Sequence, residues 1–225
     1  MAHSGSQIKL EFFSGVDQTC HGVSQRYERV KETFAFFWST DMITQAKPGL
    51  ELLPSPRQLK LLALRSLVGL AARSVERARS RYASVRLECV HAIDDTIRAA
   101  AAFSRGQQVA LPWREVKRAV LYAQDANAES VAIAAEHLAS AVANAHAAEK
   151  TPSSCRYVLQ QAHLAIESAH DACFDQEYVE TTCEDFFRLQ KLSKQHRFPS
   201  LGPTMDVGPN GPLGPVWPIW ERVRV

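Results

Sequence analysis

Larger apolar residues recur at helical spacing along most of this chain. The first set begins at Val23 and Tyr27 and reaches Phe34, which predicts a helix over residues 23–40. Residues 1–20 lack this spacing. A short alternation of apolar and polar residues there permits one short strand, and an extended arm that lies on the domain is equally expected, because a lone strand has no pairing partner.

A second helical stretch begins at Ser55-Pro56, because serine caps helices and proline suits the first helical turn. Leucines at helical spacing follow, and the pattern continues to about Ser104, where Gly106 predicts the end. Gly69 interrupts this pattern. The stretch is therefore expected to be either one long helix or two helices joined near Gly69.

The middle of the chain is rich in alanine. From Ala92 to Ala172, 23 of 81 residues are alanine. Alanine is the best helix former and lets helices approach closely, so this block predicts close-packed helices. New helices are expected at Pro112, over about 128–148 after a break at Asp125, and over about 152–175. The expected core anchors of the helix at Pro112 are Trp113, Val116, Val120 and Tyr122.

The end of the chain differs from the rest. Thr181 and Glu184 match a capping box, which predicts that the last helix starts there. Residues 199–225 hold six of the eleven prolines and four of the ten glycines, so turns and polyproline II are expected. Trp217 and Trp220 are expected to pack on the helices, because soluble chains seldom expose two tryptophans together. The alternative is that this tail binds an aromatic groove in a partner.

Together these elements predict an all-α fold. It is a bundle of six or seven helices over residues 21–198, with the arm at 1–20 and the Pro/Gly-rich tail at 199–225 packed on it. The net charge of +2 gives no general reason to expect nucleic acid or an anionic membrane as partner. Five scattered cysteines and the absence of a secretory signal favour the cytoplasm.

Two Glu-x-x-His pairs are the sharpest candidates for chemistry. They are Glu88 with His91 and Glu167 with His170, and Glu136 lies between them. Ferritin-like bundles bind two metal ions with such pairs on two helices and single glutamates on two others. The full set would be Glu88, His91, Glu136, Glu167 and His170, with Glu28 or Glu32 from the first helix.

Helical spacing argues against this metal site. Both pairs fall on polar stripes, away from large apolar neighbours such as Ile97 and Ile166, so we expect both to face solvent. No cofactor is therefore predicted. The di-metal site remains the alternative, and elemental analysis distinguishes the two.

Three arginines form a stripe at i, i+4 and i+8, namely Arg73, Arg77 and Arg81. Glu76 and Glu88 interrupt the positive charge, so a solvated helix face is favoured first, contact with an acidic patch of a partner protein second, and nucleic-acid binding last. No nucleophile elbow, phosphate-binding glycine loop or zinc-protease motif occurs. Cys155, at a helix start beside Arg156, is the only cysteine placed for activation. These observations argue against an enzyme.

The stretch Ala92–Ala148 contains Phe103-Ser-Arg-Gly106, then Trp113-Arg-Glu-Val116, then an alanine series ending at Ala148. It resembles the alanine-rich helical immunity proteins of bacterial toxin systems. The segment Gly211–Pro218 resembles an ending found in uncharacterised bacterial proteins. The first resemblance implies a non-enzymatic protein that binds and neutralises a toxin. The predicted function is thus a cytoplasmic protein-binding module, and its expected partner contacts are Arg73, Arg77, Arg81, Trp217 and Trp220.

Overall fold

The structure is a computed structural model, and it describes residues 50–84, 86–208 and 210–213. Within these ranges the chain forms seven α-helices and no strand, which confirms the predicted all-α bundle. The expected arm, the helix at 23–40 and both tail tryptophans lie outside the described residues. The helices are α1 (Pro56–Leu59), α2 (Leu64–Ala78), α3 (Leu87–Ser104), α4 (Trp113–Leu121), α5 (Ala126–Ala148), α6 (Cys155–Cys173) and α7 (Gln176–Leu192).

The stretch from Pro56 to Ser104 is three helices rather than one or two. Breaks lie at residues 60–63 and 79–86, so the expected join at Gly69 was wrong. Gly69 lies inside α2, where a Cβ atom would come 2.6 Å from Cε of Met205. The glycine therefore lets the tail approach the helix closely, and the helix continues through it.

Helix starts follow local capping chemistry. Ser55 caps α1, as the sequence predicts, and the structure adds Gln58 as its partner in a reciprocal capping box. The predicted cap at Thr181 was wrong, because Asp175 caps α7 by accepting a hydrogen bond from Tyr178 N over 2.6 Å. Thr181 lies inside the helix, and its hydroxyl donates to the carbonyl of Glu177.

The alanine block forms the centre of the bundle. α5 and α6 pack closely along each other, and α6 also packs on α2. Alanines such as Ala135 and Ala162 are fully buried, together with larger residues such as Leu138 and Ile166. Small side chains let the backbones approach, while each fully buried leucine or isoleucine contributes about 1.5–3 kcal/mol.

The described part of the tail crosses the bundle. Carbonyls of Ser200 and Leu201 accept hydrogen bonds from the first two amides of α2, and Met205 N donates to the carbonyl of Ser104 at the end of α3. Met205, Val207 and Leu213 are buried. The tail therefore caps one helix and joins it to another. Among the described helices, none has the length and apolar character that crossing a membrane requires.

Candidate protein-interaction surface

The stripe of Arg73, Arg77 and Arg81 begins on α2, ends in the 3-10 turn after it, and is not one solvated face. Arg73 is only 4% exposed and the Arg77 side chain 16%, and only Arg81 is exposed. The expectation of a solvated stripe was therefore wrong. Helix α7 packs on α2 and brings Asp185 over Arg73 and Arg77, and residue spacing within one helix does not reveal such a contact. Contact of these arginines with a partner protein stays a prediction. Of the three, only Arg81 is exposed enough to make such a contact.

A buried ion cluster around Asp185 ties α2 to α7. Arg73 Nε donates to Asp185 Oδ2 over 3.1 Å, and Arg77 donates to the same oxygen. Arg77 also donates to the Thr182 hydroxyl over 3.2 Å. Burial, followed by the charge of Arg77, lowers the pKa of Arg73. Because both arginines donate to one buried carboxylate on another helix, the cluster is structural, although Nη1 of Arg73 makes no hydrogen bond to a described residue.

Glu76 lies beside this cluster and is also buried. Its carboxylate is 3.9 Å from Arg73 Nη1. Burial raises the pKa of Glu76, and the charges of Arg73 and Arg77 compensate only part of that effect. The ionised form of Glu76 is therefore disfavoured by the fold.

The two Glu-x-x-His pairs lie in different surroundings. Glu88 and His91 are exposed on α3, as expected, and Glu167 is half-buried on α6. His170 is buried, at 1% exposure, where the sequence predicted a solvent-facing position. The reason is that Phe174 and Tyr178 follow it in sequence and their rings cover it, each with its ring centroid 5.8 Å away.

No set of ligands for a metal ion is assembled by these pairs. Over residues 50–84, 86–208 and 210–213, no three His, Cys, Asp or Glu side chains come together as metal ligands. Glu136 is half-buried on α5, and Glu28 and Glu32 lie outside those ranges. Cys155 is buried and its thiol pKa is raised by that burial, which is the opposite of what a nucleophile requires.

A shallow depression of about 510 Å³ lies between the loop Gln108–Ala110 and the end of α5. His146 lines it, but both ring nitrogens are covered by protein. The ring meets Phe103 edge-on, with centroids 5.0 Å apart. The imidazole nitrogens are therefore not presented to a ligand.

The outer half of α4 carries a dense row of cations and large apolar side chains. Its buried side is Val116 and Ala119, which pack towards α3 and α5. Two rows at i, i+4 and i+8 cover the opposite side. The first row is Trp113, Lys117 and Leu121, and the second is Arg114, Arg118 and Tyr122. We call these six residues the basic–aromatic face.

The charges of this face are uncompensated. Across the described residues, no carboxylate lies within 4 Å of Arg114, Lys117 or Arg118, although the structure contains several ion pairs elsewhere. The guanidinium of Arg86 lies 4.7 Å from the ring centre of Tyr122, but it pairs with Glu88 over 3.5 Å and so adds little net charge to the three cations of the face. The face therefore presents a local positive field that the net charge of +2 conceals.

The apolar members of the face are also open to solvent. Leu121 is 50% exposed, Tyr122 37% and Trp113 36%. The prediction that Trp113 and Tyr122 anchor α4 in the core was wrong, whereas Val116 is buried as expected. Val120 is half-buried. Aromatic residues at both ends of a short helix often anchor it in the core. Here the smaller Val116 and Ala119 between them face the core instead.

The fold holds the basic–aromatic face rigidly. Tyr82 reaches across from the turn after α2, and its hydroxyl donates to the carbonyl of Ala119 over 3.0 Å. The backbone after α4 is joined to the same turn, because Gln124 N donates to the carbonyl of Ala83. The backbone of this helix is therefore held in place before any partner arrives, and only the exposed side chains have to be ordered on binding.

Comparison of the chain with protein-family models, with curated proteins and with solved structures finds no match.

Proposed function

We propose that this protein is a non-enzymatic binding module whose basic–aromatic face docks an acidic surface of a partner protein. The observation that carries this proposal is the combination of three cations, which pair with no described carboxylate, and three exposed large apolar side chains on α4 and its C-cap Tyr122. Tryptophan, tyrosine and arginine are the residues most enriched at the energetic centres of protein interfaces.

A protein fits this face better than the other anionic partners. Nucleic acid would neutralise the cations and stack on Trp113 or Tyr122, but it offers no apolar surface for Leu121. An anionic membrane would need a broad apolar side, and that side of α4 is packed inside the fold through Val116 and Ala119. An acidic protein surface with apolar anchors satisfies both kinds of side chain.

The finer proposal is that the partner is a bacterial toxin and that binding neutralises it by occlusion in the cytoplasm. The stretch that resembles immunity proteins, Ala92–Ala148, includes all of α4. A protein that acts by occlusion needs an exposed, pre-arranged surface and no catalytic centre. The basic–aromatic face is such a surface.

The direct test is selection of displayed random peptides, about 16 residues long, on the immobilised protein. We expect the recovered peptides to be rich in Asp and Glu and to carry large apolar residues. The variant R114Q/K117Q/R118Q should bind them more than about tenfold more weakly, a loss of about 1.4 kcal/mol.

The matched control removes three other exposed cations, in R57Q/K60Q/K194Q. It makes the same change in net charge and should keep the affinity within about twofold. Equal losses in both variants would show general charge attraction and would contradict the proposal. So would tighter binding of single-stranded DNA or of anionic lipid vesicles to the same face.

A further inference from the structure

The outer side of α7 complements the basic–aromatic face. Glu177, Glu180 and Glu184 are exposed on it, at spacings of three and four residues that place them along one side of the helix. Phe187 continues the same side and is 55% exposed. We call these four residues the acidic face of α7.

The charges on this acidic face are largely available. Gln176 donates to Glu180 over 2.7 Å, and Arg188 donates to Glu184 over 3.4 Å. Both contacts are exposed, so neither removes a charge strongly from solvent. Three carboxylates with a neighbouring phenylalanine therefore match three cations with neighbouring Trp113 and Leu121.

The backbone also favours a helix as the occupant of the basic–aromatic face. The amides and carbonyls along the side of α4 are hydrogen-bonded within the helix, so an extended segment gains no backbone pairing there. A helix satisfies its own backbone and presents side chains at spacings of three and four residues, which can pack against the two rows of α4. α7 is such a helix.

We infer that the protein associates with itself through contact between the basic–aromatic face of one copy and the acidic face of α7 in a second copy. The inference rests on the proposed function only in using the basic–aromatic face as a binding surface, and it names a different occupant. It also implies regulation of that face, because an acidic partner must displace the second copy.

The size of the surfaces sets the expected strength. One helix-on-helix contact of about two and a half turns falls below the roughly 1,200 Å² that stable complexes bury, so the association should be weak and transient. Because opposite charges carry its specificity, it should weaken as ionic strength rises. A two-fold pair would form this contact twice, and open assembly would form it once per neighbour.

Sedimentation velocity of the full chain tests the inference. Weight-average mass should rise with protein concentration up to about 300 µM at about 50 mM NaCl, and this rise should shrink at about 500 mM. The variants R114E/K117E/R118E and E177K/E180K/E184K should each remain monomeric, because each places like charges on both faces. Circular dichroism checks that both fold.

The decisive arm mixes the two variants. An equimolar mixture should associate again, because each opposed pair of faces then carries opposite charges. The variant R57E/K60E/K194E should associate like the natural chain. A monomer under all conditions, a charge-reversed variant that still associates, or a mixture that does not recover would overturn the inference. None of these results bears on peptide binding, so failure here is distinguishable from failure of the proposed function.

Discussion

At the residue scale, the side chains that draw attention in the sequence and those that form the surface are different. The stripe of Arg73, Arg77 and Arg81 was visible from its spacing, but its burial depends on Asp185, more than a hundred residues later. Arg114, Lys117 and Arg118 were equally visible. The expectation that Trp113 pointed inward hid their exposure, since periodicity alone does not say which side of a short amphipathic helix meets the core.

Replacement of Asp185 by asparagine should be strongly destabilising. It removes the carboxylate to which the buried guanidinium of Arg73 and that of Arg77 donate, and breaking a buried pair in this way costs about 3–5 kcal/mol. Urea denaturation measures the loss. Asp95→Asn is the control, because Asp95 pairs with Arg98 at an exposed site and should cost about 0.5 kcal/mol or less. Similar losses in the two variants would mean that the Asp185 cluster does not join α2 to α7.

Glu76→Gln should raise the free energy of unfolding at neutral pH. The fold raises the pKa of Glu76, so its stability contribution is present below the usual pKa and is lost as pH rises through the folded value. Glutamine does not ionise. The variant's excess in free energy of unfolding over the natural chain should therefore grow as pH rises from the usual pKa of glutamate to the folded pKa of Glu76, and then stay constant. Thermal unfolding between pH 4 and 8 measures it. The exposed Glu51→Gln should show no such trend, and a Glu76→Gln advantage that shrinks as pH rises would contradict the account.

At the element scale, a helix start that a proline marks could be predicted from the sequence. A helix start that a tertiary contact fixes could not. Ser55-Pro56 starts α1, and Pro112 precedes α4, as local chemistry predicts. The break before α2 has no comparable signal. Its first amides are capped by carbonyls of the tail, at Ser200 and Leu201.

A comparison of two variants tests whether Asp175 or Thr181 caps α7. Asp175→Ala removes the side chain that accepts from Tyr178 N and should cost about 1 kcal/mol. Thr181→Ala removes a hydroxyl that bonds only within the helix and should change stability by less than about 0.5 kcal/mol. Chemical denaturation measures the free energy of unfolding of both variants. A larger loss for Thr181→Ala than for Asp175→Ala would contradict a cap at Asp175 and support the capping box at Thr181.

At the scale of the whole molecule, the all-α class was predictable because alanine content and helical spacing agree over the same residues. The arrangement of the helices was not predictable in this way. Which face of α2 meets α7, and which side of α4 is left open, depend on contacts between residues far apart in the chain. Function follows from that arrangement, because the surface we propose is defined by what the bundle leaves uncovered.

The central claim is that α4 is a binding surface. Chemical-shift mapping by NMR tests it most directly, with the natural chain titrated with the strongest acidic peptide recovered by selection. The account predicts that the largest shifts fall on Trp113, Arg114, Lys117, Arg118, Leu121 and Tyr122. Shifts that gather around the depression at His146, with α4 unchanged, would contradict it.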